Sequence, residues 1–259
     1  MNCKICNSSL TGQFTTNILK KYKATFYQCN RCGFLQTFDD CWFEEAHRQS
    51  IVSSDTGMLS RNIYFSNIAS IIIYFFFSKN GKYLDHAGGY GIFNRLMRDI
   101  GFDFYWNDPF TTNLFSKGFE FDIEKKNQIQ ISLITSFEVF EHYKFPLTDI
   151  EKMLSICPNI LFSTQILPTP TPKPTKWWYY GFHHGQHVSF YKLETLNFIA
   201  NKYHLNFYTN RSNLHLFTKK PINPILFRIA TKCHRIGLNK FVKFKMKSKT
   251  MEDCYTLSK

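Results

Sequence analysis

The chain has 259 residues, and 44% of them are hydrophobic, which excludes a disordered chain and suits one medium-sized domain with appendages. Lys and Arg number 32 against 19 Asp and Glu, for a formal net charge of +13. That charge is unevenly spread: residues 1–45 carry +1, residues 46–218 carry +3 and residues 219–259 carry +9. The excess therefore belongs to a tail, and a nearly balanced body argues against nucleic acid as the main partner.

Two cysteine pairs open the chain. Cys3-x-x-Cys6 and Cys29-x-x-Cys32 are separated by 22 residues, and each pair can wrap a knuckle around one side of a tetrahedral ion. Four thiolates leave no open coordination position, so structural Zn2+ on Cys3, Cys6, Cys29 and Cys32 is expected, in a small N-terminal ribbon or knuckle over residues 1–45. Cys41, Cys157, Cys233 and Cys254 have no partner at ligand spacing and read as packing or surface residues. The first residues lack the basic-then-apolar pattern of a signal peptide, and the most apolar run, Ile63–Phe77, is too short for the ~20 residues of a membrane span. A cytoplasmic protein with reduced thiols and a buried helix at 63–77 is the expectation.

From there strands alternate with helices. Lys82–Ala87, Phe102–Trp106, Ile131–Phe137, Ile160–Thr164, Leu205–Tyr208 and Leu214–Thr218 read as strands. Tyr90–Ile100, Pro146–Ile156 and the segment from Leu193 to Tyr203 read as helices. Pro168, Pro170, Pro172 and Pro174 mark an extended loop. This alternation predicts an α/β domain over residues 46–218 with a mostly parallel sheet.

Asp85-His86-Ala87-Gly88-Gly89-Tyr90-Gly91 lies where the first of these strands turns into a helix. Glycines let the backbone approach a ligand, and a helix N-terminus offers free N–H groups. Asn107-Asp108 closes the next strand, where an acid accepts hydrogen bonds from ribose hydroxyls. A dinucleotide fingerprint needs a glycine at position 94, where Asn94 stands.

Asp-x-Ala-x-Gly-x-Gly instead resembles the first motif of class I S-adenosylmethionine-dependent methyltransferases, with Ala87 where glycine is more common. Thr135 to His142, with its Glu138-Val139-Phe140-Glu141-His142 run, resembles the segment closing the fourth strand in that superfamily. Trp177-Trp178-Tyr179-Tyr180 and Gly185-Gln186-His187-Val188-Ser189-Phe190-Tyr191 resemble a subgroup with an N-terminal zinc knuckle, linked to sugar or cell-surface polysaccharide modification. The resemblance runs from Cys3 to about Thr218. It implies a Rossmann-like seven-stranded sheet with helices on both faces. It also implies S-adenosylmethionine lined by Asp85, Ala87, Gly88, Gly89, Tyr90, Gly91, Asn107, Asp108, Phe137 and Glu138.

For the reaction itself, His187 is the preferred catalytic residue and His142 the second. His187 follows a Gly185-Gln186 pair read as flexible, precedes a predicted helix start, and has an ordinary pKa near ~6.5 that suits proton transfer. The alternative for His187 is a structural histidine, and for Glu138 and Glu141 a solvated strand end. His183 and His184 adjoin His187, but no carboxylate accompanies them at ligand spacing, so a second metal is not expected there. The aromatic cluster Trp177–Tyr180 reads equally as a platform for sugars or bases and as a plug under the loop.

In the tail, Asn223-Pro224 starts a helix and Gly237 stops it. Ile225, Leu226, Ile229, Ala230, Cys233 and Ile236 form its apolar face, beside Arg228, Lys232 and Arg235. Packing on the domain with a frayed end is preferred over an anionic membrane surface or RNA. The function expected is methylation of a sugar or nucleotide-sugar, a small-molecule or glycan acceptor. An RNA methyltransferase and a non-catalytic cofactor-binding protein are the alternatives, and the oligomeric state and methylated atom stay open.

Overall fold

The computed structural model describes residues 1–48, 54–124 and 128–259. The N-terminal part forms β1 (Leu10–Ile18), β2 (Tyr22–Cys29), β3 (Leu35–Thr37) and the short α1 (Phe43–Ala46). The central part runs α2 (Met58–Phe76), β4 (Lys82–His86), α3 (Ile92–Ile100), β5 (Asp103–Asn107), β6 (Ile131–Ser136), α4 (Pro146–Leu154), β7 (Ile160–Ser163), β8 (Ser189–Phe190), α5 (Leu193–Lys202), β9 (Asn206–Thr209) and β10 (Leu214–Thr218). The tail gives α6 (Pro224–Ala230), α7 (Leu238–Lys245) and α8 (Thr250–Leu257).

Six strands form the central sheet in the order β5-β4-β6-β7-β10-β9. The first four are parallel neighbours, and β10 runs antiparallel to both β7 and β9. One face is covered by α2, α3, α6 and α7 through Ile68, Ile72, Met97, Phe227 and Val242; the other is covered by α4 and α5 through Ile150, Met153, Leu196 and Ile199. The architecture is the expected Rossmann-like α/β sandwich. Its seventh strand is reduced to a parallel bridge between Trp106 and Glu120 beyond β5. The Glu120 carboxylate explains the shortness: it accepts from Asn113 Nδ2 at 2.7 Å and from Gly118 N–H at 2.9 Å, tying the segment into a turn.

All of Ile63–Phe77 but its last residue lies within α2, where Ile68, Ala69, Ile71, Ile72 and Ile73 are all buried. A helix sandwiched between the sheet and α7 has little need of a polar face, which accounts for the apolar run. Among the described residues, no helix is long and apolar enough to cross a membrane.

The N-terminal residues build a second, four-stranded sheet, β1-β2-β3-β8, whose last strand comes from Ser189–Phe190. Trp42 Nε1 donates to the Gly185 carbonyl at 2.9 Å, and Thr195 Oγ1 donates to the Cys32 carbonyl at 2.7 Å. The cysteine-bearing unit is thus stitched to the chain that follows β7.

The tail departs from the sequence reading in two ways. The predicted helix from Asn223 to Gly237 ends at Ala230, where the Thr231 hydroxyl donates back to the Arg228 carbonyl at 2.8 Å, and a short 3-10 turn carries the chain on to Gly237. The end is not frayed. Arg98 donates to Asp253 of α8 through Nη2 at 2.6 Å and Nε at 2.8 Å, and both side chains are only 4% exposed. Loss of Asp253 removes two charged bonds from Arg98 and leaves it bonded to Asp103, at 2.7 Å, and to the Phe104 carbonyl. Asp253→Ala is expected to cost about 3 kcal/mol in denaturant unfolding. A loss under about 1 kcal/mol, as for an exposed pair, would show that α8 is not docked in solution.

Candidate functional site

Parallel pairing puts Asp85 of β4 beside Trp106 of β5 and Thr135 of β6, and His86 beside Asn107. The loops after all three strands therefore leave from one edge, where open α/β sheets bind ligands. A cavity of about 860 Å³ opens there, large enough for a nucleoside cofactor together with an acceptor. Asp85, Ala87, Gly88, Gly89, Tyr90, Asn107, Asp108, Phe137, Glu138, His142 and His187 all line it. Gly91 does not: it stands behind, preceding α3 with φ +85°, and its carbonyl accepts from Ser116 Oγ at 2.9 Å.

The glycine turn is held by the acid that follows β5. Asp108 Oδ2 accepts from Gly89 N–H at 2.9 Å and Oδ1 from Phe110 N–H at 2.8 Å, while the Gly89 carbonyl accepts from Trp106 Nε1 at 2.9 Å. Asp85 lies beneath, with Oδ1 accepting from Thr135 Oγ1 at 3.0 Å and Oδ2 without a partner. Burial pushes its carboxyl up to about 8 despite the Thr135 bond, with the Asp108 charge adding to the rise. Ala87 and Glu138, just past β4 and β6, both take left-handed backbone, at φ +54° and +56°. Each costs roughly 1–2 kcal/mol without glycine, and such strain concentrates at functional sites.

Glu138 is half-buried, its Oε1 accepting from Ser163 Oγ at 2.6 Å while its own N–H donates to the same hydroxyl at 2.7 Å. Burial raises its carboxyl. Glu141, read from sequence as a solvated strand end in the alternative view, is fully buried, and burial with the neighbouring Glu138 pushes it up to about 8. Phe137 stacks on Phe65 at 4.4 Å and forms a wall.

The histidines gather on the opposite wall. The rings of His142 and His187 are 5.0 Å apart, and those of His184 and His187 4.8 Å apart. His187 Nδ1 lies 2.6 Å from the Tyr179 carbonyl. Burial drives the His187 pKa down to about 3 and that of His142 well below its ordinary value. The near-neutral pKa assumed from sequence therefore does not hold, because neither ring keeps its water. Nor is Gly185-Gln186 flexible: a Cβ at Gly185 would meet Ile18 at 2.9 Å and Trp42 at 3.0 Å, and Gln186 Nε2 donates to the Ala46 carbonyl at 3.0 Å. The next element after His187 is β8, and α5 starts only at Leu193.

The aromatic cluster divides. Tyr179 and Tyr180 are buried against Phe26 and Phe190 under the N-terminal sheet, whereas Trp178 is 76% exposed at the cavity mouth. Sequence reasoning missed the opposite wall from α1 and α2, where Arg61 binds Asp55 through two bonds of 2.8 and 2.7 Å, and Arg61 in turn holds the Asp55 carboxyl below its usual range. A lone arginine early in an apolar helix was the one available signal.

The four N-terminal cysteines converge, with Cys3 and Cys32 sulfurs 3.6 Å apart and Cys6 and Cys29 sulfurs 3.3 Å apart. Backbone N–H groups of Ile5, Arg31 and Cys32 point at these sulfurs. A tetrahedral ion with ~2.3 Å bonds to sulfur separates its ligands by about 3.8 Å, so the quartet could hold one.

A sequence model described as a methyltransferase domain matches residues 61–210, more than half of the chain. The chain belongs to this methyltransferase domain family. No curated protein matches it in sequence. Among solved structures it is similar to TnmH, at 13% identity over 64% of this chain and 57% of that one, with a TM-score of 0.45. An O-methyltransferase family 2 protein from Planctomyces limnophilus, in complex with apigenin, is 14% identical over 68% and 66%, with a TM-score of 0.44. An O-methyltransferase family protein from Burkholderia thailandensis is 12% identical over 70% and 64%, with a TM-score of 0.47. The chain thus spans less than two thirds of the length of each.

Within the methyltransferase domain, the two central glycines of the turn differ in kind. A Cβ at Gly88 would lie 2.6 Å from Asp85 Oδ2 and 2.8 Å from Trp106 Cδ1; one at Gly89 would meet nothing within 4 Å, though its φ is +55°. Asp85 is anchored to Thr135 and has little room to yield. Gly88→Ala is expected to destabilise by about 1–3 kcal/mol through overpacking, and Gly89→Ala by about 1 kcal/mol through backbone strain alone. Urea unfolding checks the order, and a larger loss at Gly89 would contradict the geometry.

Proposed function

We propose that the protein is an S-adenosylmethionine-dependent methyltransferase acting on a sugar or nucleotide-sugar of surface polysaccharide synthesis, with structural Zn2+ on Cys3, Cys6, Cys29 and Cys32. The observation that carries this reading is the Gly89–Asp108 hydrogen bond at the shared strand edge. It ties the glycine turn to an acid whose remaining lone pairs are free to accept ribose hydroxyls. The unpartnered Asp85 Oδ2 and the close fit around Gly88 make a floor on which only a thin backbone lies.

In this reading Asp108 holds the ribose, Asp85 and residues 87–90 line the nucleoside, and Phe137 and Glu138 border the methionine portion. S-adenosylmethionine supplies an electrophilic methyl group: the acceptor's lone pair forms the new bond to carbon while the C–S pair returns to sulfur, leaving a neutral thioether. The chain's contribution is placement of the acceptor behind that methyl. His187 and His142 are neutral imidazoles on the acceptor side of the cavity, facing the acceptor's hydroxyl. Trp178 at the mouth offers a flat face to a sugar ring.

Calorimetry on the zinc-loaded chain tests the core of the reading. One S-adenosylmethionine is expected to bind per chain, with Asp108→Ala weakening it at least about 10-fold, in line with about 1–3 kcal/mol for a lost charged hydrogen bond. Absence of binding overturns the assignment. Methyl-label transfer to nucleotide-sugars and not to total RNA is expected; labelling of RNA alone would replace the acceptor class.

The tail supports a peripheral membrane contact. Contrary to the apolar face read from sequence, only Phe227 and Ala230 of α6 are buried, while Ile225, Leu226, Ile229 and Ile236 are more than half exposed beside Lys232 and Arg235. Apolar and basic side chains on one exposed surface suit an anionic bilayer interface. The protein is expected to co-sediment with phosphatidylserine vesicles and not with phosphatidylcholine vesicles. Ile229→Asp/Ile236→Asp is expected to abolish this, and sedimentation unchanged by that double substitution would sink the idea.

A further inference from the structure

One group on the histidine wall has no assigned task. The Glu141 side chain is 0% exposed, and neither carboxylate oxygen has a hydrogen-bond partner. Burying a carboxylate without compensation costs several kcal/mol, so such groups are matched by a proton or by a cation. The Tyr179 and Thr164 hydroxyls and the Arg61 charge lie near this carboxylate without bonding it, and the imidazoles of His142 and His187 lie beside it. One carboxylate oxygen of Glu141 and one ring nitrogen each of His142 and His187 lie within 4.8 Å of one another. Tetrahedral ligands of a divalent ion with bonds of about 2.0–2.2 Å stand roughly 3.3–3.6 Å apart, so side-chain closure of about 1 Å completes the set.

The tautomer of His187 agrees. A backbone carbonyl only accepts, so the 2.6 Å contact with Tyr179 places the proton on Nδ1 and leaves the Nε2 lone pair unprotonated. A donor bond from one ring nitrogen to a carbonyl is how ligating histidines are usually oriented. His142 and His187 line the cavity, whereas Glu141 sits behind them.

We propose that Glu141, His142 and His187 bind one divalent first-row transition cation whose remaining coordination positions open into the cavity. Two imidazoles and one carboxylate favour Mn2+, Fe2+, Co2+ or Zn2+ over the all-oxygen preferences of Mg2+ and Ca2+. A three-ligand site is an open one, unlike the closed cysteine quartet, so it takes oxygen ligands from a substrate. Resting on the methyl-transfer reading, those oxygens belong to the acceptor, and the cation lowers the pKa of the hydroxyl it binds. Sequence reasoning looked for this metal among His183, His184 and His187 and found no carboxylate; the fold supplies one from beyond the end of β6.

The test is a Co2+ titration of the full chain carrying one Zn2+ on its cysteines, with neither cofactor nor acceptor present. One further Co2+ per chain is expected, with visible d–d absorption and no near-ultraviolet thiolate band. Glu141→Gln and His187→Gln are each expected to weaken it at least about 10-fold, and His183→Ala to leave it unchanged. Circular dichroism verifies folding, and if Glu141→Gln does not fold, His142→Gln takes its place. No second metal, a thiolate band, or binding that survives these substitutions overturns the proposal. Because only metal binding is read, failure of the methyl-transfer reading shows separately, as absent S-adenosylmethionine binding.

Discussion

The common register of β4, β5 and β6 is the constraint on which the site depends. Because Asp85, Trp106 and Thr135 share one row, the glycine turn, the Asp108 acid and the Glu138 corner emerge at one edge, with Asp108 bonded to the glycine turn. Parallel strands joined by helical crossovers bring their loops to the same edge in this way. The chain meets two costs there: a buried carboxyl at Asp85 with one idle oxygen, and left-handed backbone at Ala87 and Glu138. Both fall where a ligand would be gripped, and neither is needed to hold the sheet together.

A second constraint positions the opposite wall. The segment from β7 to β8 carries Trp178, Tyr179, His183, His184 and His187, and it is pinned at both ends. The Thr164 N–H and the His215 imidazole tie its start to the strand-edge loops, and pairing of β8 with β3 ties its end to the cysteine-bearing sheet. Trp42 then clamps Gly185 from below. An ion held by the cysteine quartet would act at a distance from the cavity, by fixing the sheet against which the histidine segment lies.

Much of this was legible in the sequence. Leu214–Thr218 is read with its observed bounds, and β4 to β7 and α3 to α5 lie within a few residues of expectation, because apolar runs bounded by Gly, Pro and Asn carry strong local signals. Of the cofactor residues implied by the family resemblance, all but Gly91 line the cavity, whereas Asp55 and Arg61 on its wall were not foreseen. What escaped depends on tertiary burial. Glu141 reads as an exposed acid until β7 and the 164–188 segment cover it. His187 reads as a near-neutral base until burial removes its water. Ile225, Leu226 and Ile229 read as a packing face, yet α6 docks through Phe227, one residue around the helix. The seventh strand was invisible because Glu120 ties its segment into a turn and leaves only a bridge to Trp106.

In the proposed arrangement the shared strand edge holds S-adenosylmethionine with the methyl directed at the histidine wall. A crystal structure with S-adenosylhomocysteine tests it most directly. The account predicts ribose hydroxyls on the Asp108 carboxylate, the nucleoside against Gly88 and Gly89, and the sulfur on the side of Glu138 and His142. A ligand bound elsewhere, or one in this cavity that leaves Asp108 untouched and turns its sulfur away from His142, would contradict it.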